Sequence, residues 1–155
     1  MKLEMLDDYY DDFNKIKSMK LNSEYKRYIL KEFFEASGNP WRVVGITHAA
    51  LDAFASNNFK YVKGIQRAHY HDRKDWYEEL LIRKFDSAKE WFTFYSDHDF
   101  TILAKSAENK IIKSVEYTAF PPNMDKTLFK SNRISWRYTI EEEEFLKKIH
   151  HGQLY

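Results

Sequence analysis

The chain contains no cysteine. A disulfide framework and any thiolate metal site are thereby excluded, and a reducing compartment fits. Long apolar runs are missing as well. Nowhere do about 18 apolar residues follow one another, so no transmembrane helix is expected. The start, Met1-Lys2-Leu3-Glu4-Met5-Leu6-Asp7-Asp8, is acidic and has no apolar stretch behind a basic beginning, so no export signal is expected either. These absences point to the cytoplasm. Internal repeats, low-complexity tracts and linkers are also lacking, so residues 1–155 are expected to form a single domain, burying about 70% of the surface its unfolded chain would expose.

Aromatic residues are abundant. Twelve Phe, eleven Tyr and four Trp make up 17% of a composition that is otherwise ordinary for a globular protein. They are expected to dominate the core and to leave some rings for the surface. The net charge of +1 hides a gradient: Glu4, Asp7, Asp8, Asp11 and Asp12 crowd the start against only Lys2. Lys60, Lys63 and Arg67 form one stretch without acids, and Lys126, Lys130, Arg133 and Arg137 form another. Brought together, these two stretches make a basic patch suited to phosphates. The acidic first helix is either a solvated face, a cover for that patch, or a docking surface for a basic protein partner.

Helical spacing runs through Leu6, Tyr9, Tyr10, Phe13, Ile16 and Met19, and again through Tyr25, Ile29 and Phe33 after a Ser23 N-cap. Gly38-Asn39-Pro40 ends the second helix. Residues 41–46 read as a short buried strand, after which Thr47 caps a helix that stops at Asn57-Asn58. Residues 59–65 alternate in part and read as a strand. Two more helices follow, one starting at Asp75 and one opened by Ser87 with Glu90 three residues later. Residues 100–106 and 111–120 are rich in β-formers, and the polar residues 107–110 between them suit a hairpin. Ile134, Trp136 and Tyr138 alternate with Arg133, Ser135 and Arg137 as in a half-buried strand, and Thr139 with Glu142 opens the last helix. The expected fold is α+β: helices at the N-terminus and in the middle, packed on a small antiparallel sheet, with a C-terminal helix.

The segment Arg67-Ala68-His69-Tyr70-His71-Asp72-Arg73 holds two guanidiniums and two imidazoles in seven positions, which no hydrophobic core requires. On a strand His69 and His71 share a face and suit one metal ion. The triplet resembles the His-hydrophobe-His metal motif of rolling-circle replication and mobilisation nucleases, a resemblance that covers three residues and implies a tyrosine nucleophile such as Tyr77 or Tyr95. Metal-free phosphodiester transfer fits the segment better: His69 or His71 exchanges a proton while Arg67 and Arg73 bracket the phosphate. A loop that caps the next helix accounts for the same residues.

Three further segments offer polar chemistry. Ser106-Ala107-Glu108-Asn109-Lys110 sets a carboxylate and an ammonium at a strand end, nine residues after Asp99, as in nucleases that bind Mg²⁺ through two acids. A solvated turn is the competing reading. Thr47 and His48 stand at a helix start, where unpaired backbone donors hold an anion. Arg133, Ser135 and Arg137 form a basic strand face of the kind that grips single-stranded nucleic acid; a charged edge that blocks aggregation would look the same.

Joined in one cleft, these segments make a small nucleic-acid-cleaving enzyme, an endonuclease acting on DNA or RNA. Arg67, Arg73, Lys110, Arg133 and Arg137 then lie on phosphates, His69, His71 and Glu108 carry protons or a divalent metal such as Mg²⁺, and Thr47 with His48 adds an anion site. The alternative is a non-catalytic module that binds nucleic acid or protein through the basic sheet face.

Overall fold

The structure is a computed structural model that describes residues 5–37, 42–121, 124, 128–129 and 139–153. Six α-helices and four strands among these residues give an α+β fold with a C-terminal helix. The described parts of 5–37 and 71–99 make one compact unit, and those of 42–70 and 100–153 make a second.

The first unit is helical: α1 (Leu6–Ser18), α2 (Ser23–Ala36), α4 (Arg73–Ile82) and α5 (Ala88–His98). Within it α1 packs on α2 and α5, while α2 packs on α4. Its core is aromatic, as the composition suggests. Phe34 stacks on Tyr95 at a centroid distance of 4.1 Å, and Phe13 stacks on Trp91 at 5.3 Å. Each such pair adds about 0.5–1.5 kcal/mol beyond the area it buries. Asn22, not Ser23, caps α2, its side chain accepting Tyr25 N–H at 3.0 Å. Ser87 caps α5 as expected, but the Glu90 carboxylate reaches past it to Asp86 N–H at 2.8 Å.

The second unit holds β1 (Arg42–Thr47), α3 (His48–Ser56), β2 (Ile65–His69), β3 (Phe100–Lys105), a 3-10 segment (Asn109–Ser114), β4 (Tyr117–Ala119) and α6 (Ile140–His150). The strand order is β2-β3-β1-β4. The sheet is mixed, which corrects the antiparallel expectation: β1 runs parallel to β3, while β2–β3 and β1–β4 are antiparallel. Residues 109–114 form the 3-10 segment where a hairpin into a long strand was expected, and β4 pairs with β1 instead of β3. Residues 59–64 are not a strand. Asn58 and Phe59 turn through left-handed φ values of 51° and 58°, and pairing begins at Ile65. The expected strand at 133–138 and the helix stop at 38–40 lie outside the described residues.

Alternation along β3 divides the core of this unit. Leu103 joins Val43, Ile46 and Ile65 under Leu51, Phe54, Leu146 and Ile149 of α3 and α6. On the opposite face Ile102 and Ala104 join Ala68 under Ile112 of the 3-10 segment. Gly45 follows an irregularity in the β1 register, and the space beside it is closed: a Cβ there would lie 2.6 Å from the Tyr117 ring and 2.7 Å from the Thr118 carbonyl oxygen.

Candidate functional site

Because β1 and β3 are parallel, their carboxyl ends lie on the same side of the sheet, the side on which open α/β sheets bind ligands. β1 ends at Thr47, which is fully buried and caps α3, its Oγ1 accepting Ala50 N–H at 3.2 Å. β3 ends at Lys105 and enters a turn closed by Glu108 N–H donating to the Lys105 carbonyl at 2.9 Å. The Glu108 carboxylate completes both ends. Its Oε2 accepts Lys105 N–H at 2.8 Å and the Thr47 hydroxyl at 2.7 Å.

Thr47 and Glu108, which the sequence presents as members of separate segments, therefore meet. The half-buried Glu108 stands beside exposed Lys105, Asn109 and Lys110 in the chain, and exposed His48 is the first residue of α3. A carboxylate with one oxygen fixed, a helix start, an imidazole and two ammoniums are a set that suits an anion and proton transfer.

Arg67 and His69 have different surroundings. Their positions on β2 alternate with Ala68, so both share the face of Ile65. Arg67 is only 8% exposed, and its Nη1 donates to the Phe129 carbonyl at 3.2 Å. Phe129 has a left-handed φ of 58°, is 1% exposed, and donates its own N–H to Glu142 Oε1. The other oxygen of Glu142 takes Thr139 N–H at 3.0 Å, completing the capping box of α6. One Arg67 nitrogen thus serves the fold. The ring nitrogens of His69 are buried at the end of β2, where the residue is in register with Thr101.

His71 and Arg73 belong to the helical unit. Asp72 caps α4 through Lys74 N–H at 2.7 Å, as the loop reading anticipates. The His71 ring lies 5.0 Å from that of His98. Tyr77 is buried, and burial together with the Asp99 charge pushes its phenol well above the usual tyrosine range, against the opposing pull of the Arg73 charge. Buried Tyr95 donates to Asp99 Oδ2 at 2.7 Å. A phenol held protonated, as that of Tyr77 is, attacks poorly, which weighs against Tyr77 as the nucleophile that the His-hydrophobe-His resemblance implies. Arg133 and Arg137 lie outside the described residues.

Sequence reasoning read Glu142 as a capping-box residue but missed its contact with the Phe129 N–H, the Phe129 carbonyl that Arg67 meets, and the Tyr95–Asp99 pair. Only the last had a local signal, the i,i+4 spacing at the end of a helix. Among the described residues no three His, Asp or Glu side chains are grouped to hold a metal, and no helix is long and apolar enough to cross a membrane. Comparison with known proteins finds no matching family model, no matching curated protein and no matching solved structure.

Proposed function

We propose that the protein is a small enzyme that cleaves phosphodiester bonds of nucleic acid, with its chemistry at the carboxyl ends of β1 and β3. The observation that carries this reading is the 2.7 Å hydrogen bond from Thr47 to Glu108, which joins two independently suspected segments at that edge. Glu108 takes a proton from water through the oxygen not held by Thr47, the water oxygen bonds to phosphorus, and His48 returns a proton to the departing oxygen. Lys105, Lys110 and the backbone donors at the start of α3 face the phosphate charge. If a divalent cation such as Mg²⁺ takes part, Glu108 is the carboxylate that meets it. The reading places proton transfer on Glu108 and His48 and does not draw on His69 or His71.

The test is incubation of the purified chain with labelled single- and double-stranded DNA and RNA, in Mg²⁺ and in EDTA. Cleavage that falls at least about a hundredfold in Glu108→Gln and His48→Ala supports the reading. Absence of cleavage on every substrate overturns it.

One observation favours the second reading, a non-catalytic binding module. Both donors to Glu108 converge on a single oxygen, as they would in a purely structural turn lock. Salt-dependent retention of nucleic acid without cleavage, unchanged in Glu108→Gln, is the result that reading requires.

A further inference from the structure

The helical unit brings two histidines together that the chain separates widely. His71 precedes the Asp72 cap of α4, and His98 is the last residue of α5. Their rings lie 5.0 Å apart between centroids, tilted by 45°, and both residues are half-buried. Two imidazoles on one tetrahedral zinc ion, with Zn–N bonds of about 2.0–2.1 Å, place their centroids roughly 5 Å apart. The spacing therefore matches that of a shared ion.

The second observation concerns the tautomer. His98 Nδ1 lies 2.7 Å from the Phe94 carbonyl, and its ring stacks on Phe94 at a centroid distance of 4.1 Å. A carbonyl oxygen only accepts, so Nδ1 carries the hydrogen and Nε2 keeps its lone pair in the neutral ring. Metal-bound histidines are oriented in this way, the second nitrogen donating to a backbone carbonyl or carboxylate. The neighbouring chain positions carry three acids, Asp72, Asp97 and Asp99, and one base, Arg73. The local balance favours a cation.

His150 and His151 also lie close, at 5.1 Å, but they are adjacent in sequence, exposed, and the last residue and C-cap of α6. Their proximity follows from the chain alone. That of His71 and His98 requires the packed fold.

We propose that His71 and His98 form a two-histidine site for a borderline divalent cation such as zinc, with solvent completing the coordination. It involves none of the groups to which the proposed cleavage reaction gives a role, Glu108, His48, Lys105 and Lys110. Protons compete with the metal for the imidazole nitrogens, so occupancy falls in acid.

Titration of the full chain with zinc sulfate, followed by NMR of the imidazole resonances and by calorimetry, tests the site. One equivalent of zinc is expected to shift His71 and His98 selectively, and His71→Gln or His98→Gln to weaken binding at least about tenfold. Zinc is expected to raise the Tm of the native chain but not of either variant, while the His150→Gln, His151→Gln double variant keeps the full effect. The proposal is overturned by shifts confined to His150 and His151, by binding that survives loss of both His71 and His98, or by no shift in the native chain at millimolar zinc.

Discussion

Arg67 and Glu142 hold opposite sides of one residue: the guanidinium donates to the Phe129 carbonyl, and the carboxylate accepts the Phe129 N–H. Phe129 stacks on Phe120 at 5.6 Å and meets Phe145 edge-on at 5.9 Å, so its ring fills the core while its backbone is held by charge. Both charged groups are nearly out of water, Arg67 at 8% and Glu142 at 5% exposure. Removing either leaves the other buried beside an unmet dipole.

Arg67→Met and Glu142→Gln are each expected to cost about 3 kcal/mol in urea unfolding, in the range for breaking a buried charged contact. The double variant is expected to cost less than the sum by more than about 0.5 kcal/mol, because both losses release the same residue. Strict additivity would show that the two contacts act separately.

Thr47 has two roles, N-cap of α3 and donor to Glu108. Thr47→Val keeps the shape and removes both, so a loss of about 2–3 kcal/mol is expected, combining a cap with a hydrogen bond to a charged group. Thr47→Ser is expected to recover most of it. The comparison is made by urea unfolding at neutral pH.

Gly45→Ala tests the closeness of β1 and β4. The added Cβ would meet a backbone carbonyl as well as the Tyr117 ring. The ring can swing aside, but the carbonyl belongs to the β1–β4 ladder. A loss of about 1–3 kcal/mol is expected, with faster amide exchange in residues 117–119 than in β2 and β3.

Tyr77 sets a limit on alkaline stability. Its phenol keeps its proton in the folded unit above the unfolded value of about 10, so above that pH the unfolded chain binds fewer protons than the native one. Stability is fully present below pH ~10 and falls as the pH rises further. Tyr77→Phe is expected to remove part of that slope, measured as the change in Tm across the alkaline range.

Local chemistry made the helices readable. Thr139 with Glu142, Ser87, and Thr47 before Ala50 are signals within one turn, and each marks a helix start in the structure. The sheet was less readable because its pairing is decided far along the chain: Ile46 finds Leu103, and β4 returns to Gly45. Residues 111–115 contain Ile111, Ile112 and Val115, good strand formers, yet Ile112 is placed against Ala68 and Ala104, and packing overrides propensity there. At the candidate site the residue types at Thr47 and Glu108 were legible, but their meeting depended on β1 lying parallel to β3. The role of Arg67 was hidden for a similar reason, since its acceptor is a backbone oxygen that no side-chain pattern announces.

The register partners His69 and Thr101 are separated by the whole segment 71–99, which belongs to the helical unit. In folding terms α4 and α5 are the loop of a β-hairpin. Closing so long a loop carries an entropy cost that grows with the logarithm of its length, about 0.6 kcal/mol per doubling, and pairing at the far end of the hairpin gains little until the loop is compact. The β2–β3 ladder is therefore expected to zip late, after α4 and α5 have shortened the distance between its ends, which gives the aromatic helical core a kinetic role in building the sheet.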